Sequence, residues 1–257
     1  MSTPAAAEVQ GQVEFLARRL RLPYLRKAAP ELLATARSQR WDPAEAVRML
    51  LEEEASGRSR ASIAIRLERA GFPSGKTFES WNEKATSIPK PTQSALRTLE
   101  WVSRRENLCV CGPSGTGKSH FLEALGHHAV EQGLKVSWVT LESLGDLVVR
   151  HRADGTVGKA IQRLVRVDLI VIDDIGLLPV PGDAAEALYR LVDAAYERRS
   201  VALASNLHPA GFDQLMPKTL ATATVDRLLH HCHVLLTGGD SFRLGEATGG
   251  RGVKPLN

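Results

Sequence analysis

Asn107-Leu-Cys-Val-Cys-Gly112-Pro113-Ser114-Gly115-Thr116-Gly117-Lys118-Ser119 is the stretch whose reading decides the fold. An apolar strand runs into a glycine-rich loop, and an amphipathic helix opens at Lys118. This is G-x-x-x-x-G-K-S in strand–loop–helix context, the phosphate-binding P-loop. The glycines let successive backbone N–H groups turn inward as an anion nest. The helix that follows aims its positive N-terminal end at the same phosphates. Lys118 is expected to reach the β- and γ-phosphates, and the Ser119 hydroxyl to ligate Mg²⁺. Gly112, Pro113, Ser114, Gly115, Thr116, Gly117, Lys118, Ser119 and His120 are therefore the candidate nucleotide-binding residues. A second glycine cluster, Gly71-Phe-Pro-Ser-Gly75-Lys76-Thr77, has its first glycine one position too close, and the charged Ile65–Arg69 before it cannot be a buried strand. It reads as a turn.

Beyond the loop, short apolar runs alternate with helical segments. Leu108–Cys111, Val136–Thr140, Leu169–Ile172, Val201–Ala204 and Val234–Leu236 suit strands buried on both faces. The segments between them (119–132, two pieces within 143–167, 183–198, 218–231) read as helices. Alternation of this kind predicts a five-stranded parallel sheet with right-handed crossovers and a ligand at the strands' C-terminal edge. The strand at 169–172 ends in Asp173-Asp174, a Walker B pattern. Asp173 is expected to hold Mg²⁺, and Asp174 to orient or deprotonate an attacking water. Asn206, at the end of the next strand, is placed to meet the γ-phosphate and the water.

The N-terminal part reads as helices: Val13, Leu16 and Leu20 at helical spacing, Leu32, Leu33 and Ala36 beyond Pro23 and Pro30, and a start at Asp42-Pro43 with Asp42 as N-cap. That helix is expected to run to Glu52–Glu54, with another from Ser59 to Ala70. A connector with Phe78 and Trp81 as anchors and a helix over 92–104 then lead into the P-loop strand. The expected division is a helical domain over 1–72, a linker and lead-in helix over 73–106, an ATPase domain over 107–247 and a flexible tail over 248–257.

Composition sets limits. The chain has 257 residues, 43% hydrophobic and 24% charged, which is ordinary for a globular protein. No apolar run approaches the ~20 residues of a membrane span, and Met1–Gln10 has no secretory pattern. Cys109 and Cys111 read as facing opposite sides of the sheet, unsuited to pairing, so a reducing cytoplasm is expected. Residues 1–108 carry 18 Lys and Arg against 13 Asp and Glu, whereas the rest is near balance. Between 57 and 105 the ratio is 10 to 4, suggesting contact with a polyanion. His230-His231-Cys232-His233 offers metal-ligating types, but with no second cluster in the sequence it reads as packing.

Gly112–Ser119, Asp173-Asp174, Ser205-Asn206, Asp226-Arg227-Leu228 and Gly239-Asp240-Ser241-Phe242-Arg243 together resemble the AAA+ ATPases of the IstB/DnaC group, with the IstB-like transposition helpers as the nearest pattern. The resemblance covers nearly the whole chain. It implies an α/β AAA+ P-loop ATPase preceded by a small all-helical domain. It makes Asn206 the sensor-1 residue, Arg227 an arginine finger acting on a neighbouring subunit's nucleotide, and Arg243 a second arginine near the nucleotide. It further implies ATP and Mg²⁺ as cofactors, with duplex DNA, an IstA-like transposase and further copies of the chain as partners. Asp174 stands where many AAA+ proteins carry Glu. A replicative-helicase loader of the DnaC kind shares the core and stays open as an alternative. A small-molecule kinase is disfavoured by Asn206 and Asp226-Arg227, and a module in which nucleotide is only structural is the remaining rival.

Overall fold

The computed structural model describes residues 6–176, 180–239 and 241–242, with side chains from residue 8. Arg243 and the tail over 248–257 lie outside the described residues. Contacts divide the chain into two compact units, 1–65 and 66–257.

The first unit is helical. Helices α1 (Ala6–Arg19), α2 (Pro23–Ser38) and the greater part of α3 (Pro43–Ala70) enclose a small core of Ala17, Leu25, Ala29 and Leu50, with Val13, Leu22, Leu32 and Leu33 packed against it. Asp42 caps α3 through a 2.8 Å bond from the Ala44 N–H to its carboxylate. The expected break between residues 54 and 59 does not occur, and α3 is one helix of 28 residues. Gly57, which weakens a helix in isolation, sits under the Tyr24 ring of α2, where a Cβ would overlap three ring carbons. Its role is close approach, not interruption. Three residues earlier the buried Glu54 carboxylate accepts the otherwise orphaned N–H groups of Tyr24 and Leu25, both at 2.9 Å, so α3 caps the start of α2.

The second unit contains the sheet. Strands β1 (Asn107–Cys111), β2 (Val136–Thr140), β3 (Leu169–Ile175), β4 (Ser200–Ser205) and β5 (Cys232–Leu236) are all parallel, in the order β2-β3-β4-β1-β5. The strand before the P-loop therefore sits inside the sheet and has β4 for one neighbour. β1 and β4 are buried along their whole length, as their unbroken apolar runs require. Helices α6 (Lys118–Glu131), α7 (Leu141–Arg152), α8 (Val157–Leu164), α9 (Gly182–Ala195) and α10 (Lys218–Leu229) form the crossovers and their extensions. The lead-in helix expected over 92–104 is two pieces, α4 (Lys90–Arg97) and α5 (Glu100–Ser103), separated where Leu99 takes a left-handed φ of 59°. Cys109 and Cys111 point into one core cluster rather than to opposite faces, as alternate residues of a strand must. The Cys109 Sγ lies 3.3 Å from the Cys232 Sγ on β5.

The connector before α4 is anchored by its aromatics. Phe78 meets Phe121 edge-on, and Trp81 packs on Phe121 and His120. The decoy glycine cluster proves to be a carboxylate cradle. Ser74 N–H and Oγ and the Gly75 N–H bond the Glu123 carboxylate of α6 at 2.9, 2.7 and 2.6 Å. Burial pulls the Glu123 pKa up, but these donors, with the Lys76 N–H, outweigh it and hold the group below its ordinary value.

Candidate nucleotide site

Register brings the motif residues to one edge. Cys111 pairs with Ser205 across β1 and β4, and Ile175 pairs with Ser205 across β3 and β4. Two backbone bonds sew this edge together: Gly112 N–H to Ser205 O at 3.0 Å, and Asn206 N–H to Ile175 O at 2.8 Å. The P-loop, the strand-end acids and Asn206 are consequently neighbours, although they are distant in sequence.

Lys118, only 7% exposed, donates from Nζ to the carbonyls of Gly112 and Pro113 and to Asn206 Oδ1 at 2.7, 2.8 and 2.8 Å. Ser119 Oγ donates to Asp173 Oδ1 at 2.8 Å, and the same oxygen accepts the Asp174 N–H at 2.9 Å. Burial raises the Asp173 pKa above the ordinary aspartate value, assisted by the charge of Asp174 and opposed by the Ser119 and Asp174 donors and by Lys118. A Ser hydroxyl and a carboxylate this close are hard oxygen donors of the kind that hold Mg²⁺ beside phosphate. The donor set thus fits that ion.

The two acids owe their joint placement to an irregularity. Between Ile172 and Ile175 β3 advances three residues while β4 advances two, and Asp174 adopts a left-handed φ of 70°. Successive side chains on a regular strand point to opposite faces. The bulge lets Asp173 and Asp174 line one cavity. Asp can occupy the left-handed region at lower cost than most residues, which suits an acid with a short side chain at this position.

That cavity has a volume of about 480 Å³ and is lined by Ser114, Gly115, Gly117, Lys118, Ser119, His120, Asp173, Asp174 and Asn206. Lys76, Ser80, Trp81, Asn82, Ile175, Ala204 and Phe242 complete it. Gly117 caps α6 with a φ of 90°, and an added Cβ would stand 3.2 Å from the Trp81 ring. Trp81 is itself fixed by Nε1 donating to Gln93 Oε1 at 2.9 Å. Phe242 is held over the loop by a 3.0 Å bond from its N–H to Gly115 O. Gly112, Pro113 and Thr116 shape the loop from beneath. Thr116 Oγ1 donates to Pro113 O at 2.9 Å and lies 2.8 Å from the Thr237 hydroxyl, and Thr237 continues β5 alongside Cys111.

Arg227 is not brought to this cavity. It stands on α10, 31% exposed, with Nε 2.9 Å from Asp193 of α9 and its guanidinium over the Tyr189 ring. Its ion-pair partner is Asp193, not the adjacent Asp226. Sequence reasoning missed Lys76, Asn82 and Phe242 as cavity residues and gave Trp81 an anchoring role only. A tryptophan between two domains' worth of helices carries no motif; the spacing from Gly117 that reveals it is purely spatial.

Comparison with known proteins follows the same lines. Residues 15–248 match the family described as IstB-like ATP binding protein. A relative from Pseudomonas aeruginosa, named for ATP binding in insertion sequence IS21, is 32% identical over 237 residues, covering 91% of this chain and 89% of its own. A Bacteroides fragilis relative, named as IS21-like and ATP-binding, is 30% identical, covering 89% and 88%. Among solved structures, the replication initiator DnaA bound to AMPPCP and single-stranded DNA superposes with a TM-score of 0.52 at 21% identity, over 66% of this chain and 52% of that one. DnaI does so with 0.52 at 14% identity, over 63% and 90%. These two likenesses are of fold, the AAA+ P-loop fold.

Proposed function

The chain belongs to the IstB-like ATP-binding protein family, and from that premise we propose that it is an ATP-hydrolysing switch that assembles on duplex DNA and serves a transposase. The observation that carries this reading is the asymmetry of the site. Lys118, Ser119, Asp173, Asp174 and Asn206 gather at one cavity, while Arg227 faces away on α10, paired with Asp193. Among the described residues no arginine lines that cavity, so a guanidinium for the charge developing on the transferred phosphoryl group is read as coming from a neighbour.

Lys118 binds the β- and γ-phosphates, and the P-loop N–H groups with the α6 N-terminus take the remaining charge. Ser119 and Asp173 hold Mg²⁺, which when bound offsets the phosphate charge. Asp174 orients or deprotonates the water, and Asn206, which accepts a bond from Lys118, meets the γ-phosphate. Trp81 and Phe242 give the base two aromatic walls beside Gly117. Arg227 completes a neighbour's site; a guanidinium supplied in this way is worth roughly 10³–10⁵ in rate, so turnover depends on assembly. Hydrolysis then releases contacts that the γ-phosphate had held across the junction. The basic N-terminal region, continuing through residues 57–105, contacts DNA backbone and an IstA-like transposase, with salt-sensitive and sequence-tolerant DNA binding. Among the described residues no helix is long and apolar enough to cross a membrane.

Arg227→Ala tests the reading. ATP binding should persist, while hydrolysis with duplex DNA falls at least about a thousandfold. Sedimentation with ATP and DNA should show assemblies that ADP does not support. Unimpaired hydrolysis in the variant, or a monomer under every condition, would overturn the shared-site proposal.

A further inference from the structure

The histidine run set aside as packing acquires a third member in three dimensions. Glu197 follows α9, in the turn before β4, and His230-His231 follow α10, in the turn before β5. A ring nitrogen of each histidine and a carboxylate oxygen of Glu197 all lie within 4.8 Å of one another, and all three side chains are exposed. The two rings are 4.1 Å apart and tilted by 50°. α10 ends at Leu229, and His230-His231 form the turn that leads into β5.

We propose that Glu197, His230 and His231 form a site for a divalent transition-metal ion of the zinc type. Ligands about 2.0–2.2 Å from such an ion stand roughly 3.3 Å apart in tetrahedral arrangement, so exposed side chains need only small rotations to close on it. Imidazole with carboxylate favours zinc, cobalt or nickel over magnesium or calcium, and three protein ligands leave an open position for water. The surroundings supply the support a ligand histidine requires. His230 Nδ1 lies 3.0 Å from the Tyr196 hydroxyl oxygen; with Nδ1–H donating there, Nε2 keeps the lone pair. Two nearby candidate ligands are occupied elsewhere: His233 Nε2 lies 2.7 Å from Glu106, and the Cys232 Sγ turns toward Cys109. The site joins the ends of α9 and α10, the helices that carry Asp193 and Arg227. His230 is one helical turn beyond Arg227, so a bound ion would restrain that arginine's helix.

The metal-free full-length protein, titrated with Co²⁺ and then with competing Zn²⁺ in the absence of nucleotide, should take up one equivalent with visible absorption. Glu197→Gln should weaken uptake about tenfold or more, and the His230→Ala/His231→Ala variant should abolish it. His233→Ala and Cys232→Ser should bind as the parent does. Thermal melts without metal should be unchanged in Glu197→Gln and in the double-histidine variant, since Glu197, His230 and His231 are at the surface. Absence of stoichiometric uptake, uptake that survives loss of both histidines, or uptake lost in Cys232→Ser would each overturn the site.

Discussion

Replacing Gly57 by Ala sets two known effects against each other in one helix. Alanine in the interior of an α-helix is favoured over glycine by about 1 kcal/mol, and α3 alone would gain that amount. Tyr24 opposes it. A Cβ at 57 would stand 2.6 Å from one ring carbon and closer still to two others, including Cγ. Carbon–carbon contact is comfortable near 3.5–4.0 Å. The crowded atoms lie at the root of the ring, so rotating its plane brings no relief; helix α2 or the Tyr24 rotamer must give. Overpacking of this kind costs about 1–3 kcal/mol, and the depth of the overlap places it near the upper end. The net expectation is a loss of about 2 kcal/mol from the N-terminal unit, measured by denaturant unfolding followed by circular dichroism. Nucleotide affinity at the P-loop should not change. In a Tyr24→Ala background the clash is gone, and Gly57→Ala should then be neutral or stabilising, a reversal that a double-mutant cycle reads directly. An unchanged or raised midpoint in the single variant, or the same loss in both backgrounds, would refute the close-approach role of Gly57.

Three further outcomes are expected. Trp81→Ala should weaken nucleotide binding about tenfold, given roughly 1–3 kcal/mol for stacking of a base on an aromatic ring; a fluorescent ATP analogue bound with unaltered affinity would remove Trp81 from the base site. Carboxyl NMR should find Asp173 titrating above the ordinary aspartate value of about 3.9, and higher again in Ser119→Ala, which loses a lowering hydrogen bond; a parent value at or below ordinary refutes the burial argument. Glu106, bonded by Arg104 and by His233, should titrate at about 2. Its pKa being depressed, its contribution to stability is complete above the ordinary value near 4.5 and drains away as pH falls toward 2. Arg104→Ala should move the titration upward, as seen by the same NMR measurement.

Where local chemistry and fold agree, the sequence was a sufficient guide. The P-loop strand, the alternation of strands with helices and the Asp42 cap are written in residue types whose physical preferences admit few alternatives. What could not be read depends on partners remote along the chain. Gly57 looks like a helix breaker until Tyr24 is beside it. Asp173 and Asp174 look like strand neighbours with opposed side chains until β4 is seen to be one residue shorter. Gly71–Thr77 looks like a failed phosphate loop, and it does cradle an anion, the carboxylate of Glu123. His230-His231 lacked a third ligand because Glu197 belongs to another turn. In each instance the missing information was a distance between elements, which periodicity does not encode.

The Glu123 cradle also bears on where the chain can be cut. The motif boundaries invite a minimal nucleotide-binding fragment starting near residue 107, at the first strand. Such a fragment would carry a carboxylate that is 1% exposed and would delete every donor that stabilises it, from Ser74 to Lys76. It would also uncover the surfaces of Phe121 and Gly126 that Phe78 and Phe72 now shield. The Glu123 charge would lose its donors, and apolar surface now covered would meet water; both cost stability. The autonomous piece of this molecule therefore begins well upstream of its first recognisable motif. For the second unit, the segment between the helices and the sheet is not a tether but its first layer.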